Sequence, residues 1–155
     1  MGIYLDSLVS EYKIKKNYAQ VLSKMMQNLL DKYNHKRAEV GVIVVDDKYM
    51  RELNRDYRGL DEPTDVLAFV YLDDEFPETD IARPYSLGEI YLSYYLAGKQ
   101  AREKGHSTQY EIFYLVVHGL LHLLGYDHED AVSKEKMDSK HNEIMNLYST
   151  ELLGE

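Results

Sequence analysis

The chain has 155 residues, of which 45 % are hydrophobic and 29 % are charged. This balance is typical of a folded globular protein, so it excludes intrinsic disorder and predicts a single domain spanning residues 1–155. Unbroken apolar runs such as Phe113–Val117 are far shorter than the ~20 residues of a membrane helix. Charged residues near the N-terminus leave no signal-peptide core, and the absence of cysteine excludes disulfides and thiolate metal sites. We therefore expect a soluble, cytoplasmic protein.

The charge is unevenly distributed along the chain. The net charge of −9 argues against a nucleic-acid partner, because proteins that bind polyanions usually carry a basic excess. However, residues 61–89 have a local charge of −8, whereas residues 13–37 have a local charge of +6. Two solvated faces are one interpretation, and a basic surface that contacts an anionic partner is the other.

The first half of the chain alternates predicted strands and helices. The patterns predict a short first strand, an amphipathic helix, a β-branched strand buried on both faces, and a helix capped by Asp46 or Asp47. In chain order these elements cover Gly2–Leu8, Asn17–Tyr33, Glu39–Val45 and a segment ending near Tyr57.

The second half is richer in helix. A third strand, a polar loop and a fourth strand precede three helices, and these elements cover Thr64–Tyr71, Asp73–Ser86, Leu87–Ser93, Tyr94–Lys104, Thr108–Leu124 and Ser133–Tyr148. The sequence thus predicts an α/β (α+β) fold in two or three layers. It is a small mixed sheet of about four strands packed with about five helices, which are concentrated toward the C-terminus.

The segment at residues 118–128 reads HGLLHLLGYDH and predicts a metal site. His118 and His122 are four residues apart, so a helix places both imidazoles on one face. Their neighbours are apolar, and buried histidines need partners for their ring nitrogens. Gly125 can end the helix with a positive φ and bring His128 back toward the pair. Three imidazoles form an open zinc site in which water is the fourth ligand.

The spacing of this segment is that of the metzincin protease motif H-E-x-x-H-x-x-G-x-x-H. The exception is Gly119, which stands where those proteases have the glutamate that acts as general base. Its absence argues against peptide hydrolysis and leaves the metal site intact. The donor set favours zinc, although three imidazoles also suit nickel, cobalt or copper.

The other histidines lie outside this pattern. His141 falls in the last, polar helix and is interpreted as solvent-exposed, while His35 and His106 have no assigned role. Asp127 either orients a neighbouring imidazole or caps the turn, and the sequence leaves both alternatives open.

Arg51, Arg55 and Arg58 recur at helical spacing, so they form one stripe that can bind phosphates. For Arg51 and Arg55 the simpler interpretation is pairing with a nearby acid: Asp47, Glu52 or Asp56. Arg58 differs because it leads directly into Gly59 and the next strand. The end of the helix can therefore present Arg58 to a cleft.

Three stretches carry longer motifs: HGLLHLLGYDH at 118–128, LNRDYRGLDEPTDVLAF at 53–69 and LGEIYLS at 87–93. In sequence and order they resemble the motifs of the YbeY family of bacterial rRNA-maturation endoribonucleases: H-G-x-L-H-L-x-G-Y-D-H, L-N-x-x-Y-R-x-x-D-x-P-T-D-V-L-S-F and L-G-D-I-x-I-S. Ala68 replaces a serine of this pattern, and Glu89 replaces an aspartate. The likeness covers most of the chain and is weak toward the N-terminus.

The resemblance implies a zinc-bound fold that cleaves single-stranded RNA in maturation of the 16S rRNA 3′ end and in ribosome quality control. It implies that His118, His122 and His128 hold one zinc ion and that Arg58 is the catalytic arginine. It also implies ribosomal RNA and small-subunit components as partners, and no membrane. We expect Arg58 to face the zinc cleft and the acidic stretch 61–89 to lie mostly away from it, since the substrate is a polyanion.

Two other functions stay open. A metzincin-like metalloprotease or another zinc hydrolase has the right histidine spacing but is disfavoured by Gly119. A non-catalytic, ribosome-associated module would use zinc only to stabilise the turn at 118–128. An open coordination position argues against the module, because structural zinc usually has four protein ligands.

Overall fold

The computed structural model describes residues 2–71 and 84–153, and a four-stranded sheet lies at its centre. The strands are β1 (Ile3–Ser7), β2 (Ala38–Val45), β3 (Val66–Val70) and β4 (Tyr85–Ser93). They lie in the order β1-β2-β4-β3, with β1, β2 and β4 parallel and β3 antiparallel to β4. The prediction of a small mixed sheet is confirmed.

Five helices pack with the sheet in the described part of the chain: α1 (Lys16–Lys32), α2 (Asp47–Arg58), α3 (Tyr94–Lys104), α4 (Thr108–Leu123) and α5 (Ala131–Leu153). Three of them follow the last strand, as predicted. Asp46, Ser93 and Ser107 cap α2, α3 and α4 by accepting the amide of the residue three positions later. None of the helices in these residues has both the length and the apolar composition needed to cross a bilayer.

Several element boundaries differ from the prediction by a few residues, among them those of β4 and α5. β4 begins at Tyr85 because Tyr85 and Ser86 already pair with β2, so the predicted loop ends earlier, and its residues 73–83 lie outside the described residues. α5 extends beyond the predicted Ser133–Tyr148 at both ends. Sequence periodicity places the ends of a helix only to within a few residues, because the backbone hydrogen bonds can continue where the apolar stripe stops.

One face of the sheet carries the main core. Along β2, Val40, Val42 and Val44 alternate onto this face and are almost completely buried. α1, α4 and α5 contribute the other layer of this core through large apolar side chains: Leu22, Met26, Leu30, Phe113, Val116, Leu120 and Ile144.

The opposite face is covered only in part. α2 packs there through Met50, which forms a small cluster with Val45 and Leu67. Glu39 and Ile43 of β2 are only half-buried because they border an open pocket. The prediction that this strand is buried on both faces is therefore wrong at these two positions. A run of apolar residues does not reveal how far the single covering helix extends.

The order of the strands places β3 at one edge of the sheet. α4 packs against both β3 and β4. This arrangement brings the histidine-bearing end of α4 beside the outer strand, where the cleft described below is formed.

Candidate metal centre

Three histidines converge at the C-terminal end of α4. His118 and His122 lie on successive turns of the helix, and their Nε2 atoms are 3.2 Å apart. The ring centroid of His128 lies 5.9 Å from that of His118 and 5.2 Å from that of His122. One nitrogen of each ring lies within 4.8 Å of the others, so a single ion can contact all three. The structure thus brings together the residues that the sequence singled out.

A helix-terminating turn carries His128 back toward the helix. Gly125 has φ 101°, a left-handed conformation that favours glycine. Its amide donates to the His122 carbonyl at 3.0 Å, and the Tyr126 amide donates to the Leu121 carbonyl at 3.0 Å. These are the two hydrogen bonds of a Schellman motif, which reverses the chain at the end of a helix.

The two helical imidazoles are held in the neutral form. Burial, and to a smaller extent the nearby imidazole of His122, lowers the pKa of His118 to about 4. Burial also lowers the pKa of His122, with a smaller contribution from His128, while a hydrogen bond to the Tyr126 backbone opposes the change. Neutral imidazole is the form that binds a metal. The donor set therefore fits a divalent cation that prefers nitrogen ligands.

Gly119 is explained by the approach of α4 to the sheet. A Cβ built at this position would lie 2.8 Å from Cγ2 of Ile90 and 3.2 Å from its Cγ1. Such contacts leave no room for a glutamate side chain. In this protein, Ile90 of the sheet therefore fills the space in which the side chain of the metzincin general base would lie.

The histidines line a cleft of about 500 Å³. The rest of its lining comes from Gly119, from Arg58 at the end of α2, and from the outer strand with the turn before it: Thr64, Asp65, Val66, Leu67, Ala68 and Val70. Arg58 is exposed, and no acid within the described residues forms an ion pair with it. His118, His122, His128 and Arg58 therefore line one volume.

The other two arginines of the stripe are paired. Arg51 donates two hydrogen bonds to Asp61, at 2.8 and 3.0 Å, and Arg55 pairs with Asp56 at 3.2 Å. The predicted pairing is confirmed for Arg55. For Arg51 the predicted partners are wrong, because the turn at Gly59 (φ 74°) brings Asp61 back alongside α2.

Among the described acids of the stretch 61–89, Asp65 lies at the cleft, and the expectation that the stretch lies mostly away from the cleft stays a prediction. Asp65 lines the cleft because β3 begins beside it. Its negative charge opposes the fall in the pKa of His118. Glu89 borders the pocket on the opposite face of the sheet. The acids between 72 and 83 lie outside the described residues.

The interpretation of His141 as solvent-exposed is wrong. This side chain is only 4 % exposed, and its ring stacks on Tyr114 of α4 with 4.1 Å between the centroids. Its centroid lies 6.1 Å from that of His118. Burial lowers the pKa of His141 to about 4. A polar helix still buries one stripe against its neighbour, and average composition does not locate that stripe.

The two remaining histidines bind other groups. Nε2 of His106 lies 2.5 Å from Oε1 of Glu111, a fully buried carboxylate in the first turn of α4. Nδ1 of His35 lies 2.5 Å from the hydroxyl of Tyr85. Neither belongs to the histidine cluster.

The sequence left two roles open for Asp127, a cap of the turn or an orienting contact to an imidazole. Its Oδ1 accepts the backbone amide of Glu129 at 3.3 Å, so it caps the turn between Gly125 and α5. Its charge also acts on His122, where it raises the pKa slightly against the effect of burial.

The outer strand contributes a wall of the cleft that the sequence did not predict. Thr64, Asp65 and Ala68 belong to the motif at 53–69, which predicted a strand but assigned its side chains no role. Periodicity identifies a strand, whereas only the pairing order shows which of its edges is free.

Comparison with known proteins gives matches over nearly the whole chain. A family model described as Endoribonuclease YbeY matches residues 5–149. A protein named Endoribonuclease YbeY from Desulfitobacterium hafniense (strain Y51) is 41 % identical over 150 residues, which cover 92 % of this chain and 96 % of that protein. A protein of the same name from Bacillus velezensis is 37 % identical over 152 residues, which cover 96 % of this chain and 97 % of that protein. The solution structure of TM1509 from Thermotoga maritima is 27 % identical, with a TM-score of 0.62 and coverage of 96 % and 93 %.

Proposed function

This chain belongs to the Endoribonuclease YbeY family, and on that premise we propose that it is a zinc-dependent endoribonuclease that cleaves single-stranded RNA. The observation that carries the proposal is the cleft that His118, His122, His128 and Arg58 line together, where Arg58 forms no ion pair with an acid of the described residues. The motif resemblance supports the finer assignment: maturation of the 16S rRNA 3′ end and ribosome quality control, in the cytoplasm, on RNA associated with small-subunit components. Residues 1–155 act as one domain in this proposal, since the described elements share one sheet.

His118, His122 and His128 are the proposed ligands of the zinc ion. Three protein ligands leave one coordination position open, which is the arrangement of catalytic rather than structural zinc sites. When bound, zinc supplies a Lewis acid for a phosphoryl oxygen and lowers the pKa of a coordinated water. The Tyr126 backbone holds the ring of His122 by a hydrogen bond, so this ligand is already oriented before the ion arrives.

Arg58 is the proposed catalytic arginine. Its guanidinium is permanently charged, and it can bind a phosphate through two parallel hydrogen bonds. Because it lines the metal cleft, it can hold the scissile phosphate beside the ion and stabilise the negative charge that develops on it. Arg51 cannot take this role, because Asp61 already occupies its guanidinium.

The two alternatives are weaker on specific observations. A metalloprotease of the metzincin kind needs a carboxylate at position 119, where even a Cβ would lie 2.8 Å from Cγ2 of Ile90. A purely structural zinc site needs a fourth protein ligand. Among the described residues, the group that could hold a metal contains only His118, His122 and His128.

Metal analysis combined with RNA cleavage tests the proposal. We expect about one equivalent of zinc per chain, and chelator-sensitive cleavage of an RNA in its single-stranded form but not when a complementary strand is annealed. His122→Ala should lose both zinc and cleavage. His35→Ala is the matched control and should keep both, because His35 lies outside the cluster. Peptide-bond hydrolysis of casein that His122→Ala abolishes, without RNA cleavage, would reverse the assignment.

A further inference from the structure

The free edge of β3 runs along the metal cleft. β3 pairs with β4 on one side only, since the order β1-β2-β4-β3 makes it the outer strand. Val66, Ala68 and Val70 all line the cleft that contains the histidine cluster and Arg58. An unpaired strand edge presents a row of backbone amides and carbonyls that are free to form hydrogen bonds. Here that row lies inside the candidate active site.

The hydrogen bonds to β4 show which residues present their backbone to the cleft. The Ser93 amide donates to the Asp65 carbonyl at 2.9 Å, and the Tyr71 amide donates to the Leu87 carbonyl at 2.9 Å. Backbone pairing alternates along an antiparallel ladder, so Asp65, Leu67, Phe69 and Tyr71 direct their amides and carbonyls toward β4. The residues between them direct theirs outward.

Two residues on this edge have no backbone partner on their outer side within residues 2–71 and 84–153. No amide or carbonyl of Ala68 or Val70 is hydrogen-bonded to another of the described residues outside the ladder. The amide of Val66, in contrast, donates to the side chain of Asp65 at 2.7 Å. Ala68 and Val70 therefore offer two donors and two acceptors to a ligand in the cleft.

We propose that the Ala68–Val70 edge binds the bases of single-stranded RNA next to the scissile phosphate. The inference rests on the proposed function and adds the part of the site that holds the strand. An unpaired base exposes both donors and acceptors on its Watson–Crick edge, which the backbone of a free strand edge can match. In a duplex the same base edges are already paired. Binding at this edge thus gives a physical reason why the protein would prefer single-stranded RNA to a duplex.

RNA fits this edge better than an extended polypeptide. A peptide could also add to a free strand edge. However, the cleft offers Arg58, a cation suited to phosphate, at the same surface. Position 119 also has no room for the carboxylate that acts as general base when metzincins hydrolyse a peptide. The polypeptide is therefore the alternative that the experiment has to exclude.

Val70→Pro tests the edge, because proline has no amide proton. The Val70 amide points away from β4, so proline removes no ladder hydrogen bond and is tolerated at such an edge position. We expect KM for single-stranded RNA to rise about fivefold, the effect of losing one hydrogen bond, with zinc content unchanged. Val70→Ala keeps the amide and is the matched control, with KM expected to remain within about twofold. An unchanged KM in Val70→Pro would overturn the inference.

Amide chemical shifts in the wild-type protein provide a measurement that does not depend on a variant folding. A 2′-O-methyl RNA oligomer has no 2′-hydroxyl that could attack its own phosphodiester bonds. It should shift the amide signals of Ala68 and Val70. The same oligomer annealed to its complement should not. Shifts caused only by an extended peptide, or no shift with the single-stranded oligomer, would overturn the inference. Wild-type cleavage of RNA without these shifts would leave the proposed function standing, whereas absence of cleavage would contradict the function itself.

Discussion

Gly119 of α4 lies directly against Ile90 of β4, and a Cβ at position 119 would lie 2.8 Å from Cγ2 of Ile90. This contact sets how closely α4, the helix that carries His118 and His122, approaches the sheet. We predict that Gly119→Ala lowers the free energy of unfolding by about 1–2 kcal/mol, because the cost of overpacking exceeds the gain in helix propensity. Denaturant unfolding of the metal-free protein measures the change.

Gly98→Ala is the matched control for this prediction. Gly98 also lies in a buried stretch of helix, but a Cβ there would be 3.5 Å from Nη1 of Arg102, an ordinary contact. We expect this variant to be as stable as the wild type, or more stable by up to ~1 kcal/mol. Equal stabilisation of both variants would show that α4 can move away from Ile90 at no cost.

His118→Ala should reduce bound zinc and thermal stability together, because the free energy of metal binding contributes to folding. Metal analysis and thermal unfolding, each with and without a chelator, check this prediction. The chelator should lower the Tm of the wild type and leave that of the variant unchanged. A variant that still binds one equivalent of zinc, or a structure of the zinc-bound protein with one of the three rings turned away, would contradict the assignment.

His141 should make the metal-free protein less stable in acid. Burial lowers its folded pKa to about 4, below that of an unfolded histidine, so the unfolded state binds more protons between about pH 4 and 6.5. Stability therefore falls as the pH decreases through this window, by at most ~3 kcal/mol from this group. His118 and Lys104 disfavour the charged form of His141, whereas Asp138 favours it.

His141→Phe isolates the contribution of this group, since phenylalanine keeps the stacking volume against Tyr114 and does not titrate. Urea unfolding of the metal-free variant at pH 7 and pH 4.5 should show a smaller loss of stability than the wild type. His118 also titrates in this range, with a pKa of about 4, so a residual pH dependence remains. An identical loss in both proteins would contradict the prediction.

Arg58→Glu should lower RNA cleavage by roughly 10–100-fold, because it removes the only cleft guanidinium among the described residues and places a negative charge beside the phosphate. Zinc content should not change. Arg55→Glu is the matched control, since it makes the same charge change on the exposed surface of the same helix, where Arg55 pairs with Asp56. Equal losses of RNA cleavage in Arg58→Glu and Arg55→Glu would contradict the proposed role of Arg58.

Salt dependence checks the same contact independently. Each phosphate that a protein cation neutralises releases counterions, so binding of single-stranded RNA should weaken as salt increases. Arg58→Glu should make this dependence less steep, whereas Arg51→Glu should change it less, because Asp61 already neutralises Arg51 in the wild type. Fluorescence anisotropy at several salt concentrations measures both slopes.

Local geometry explains why the sequence alone determined the candidate metal ligands. The four-residue spacing of His118 and His122 and the glycine turn before His128 depend only on helix periodicity and on the conformation of Gly125, both of which act within one short segment. The same holds for the elements of the mixed sheet and for the position of Arg58 at the end of α2. Each is specified by neighbours a few residues away.

Only the tertiary structure decided what surrounds these residues. The close contact of Gly119 with Ile90, the burial of His141 against Tyr114 and the free edge at Ala68 each join segments that are far apart in the chain. Such contacts depend on strand order and on which helix face meets the sheet, and periodicity within one segment does not encode either. The sequence therefore determined which groups could hold a metal, and the packing of distant segments decided which groups share the cleft with them.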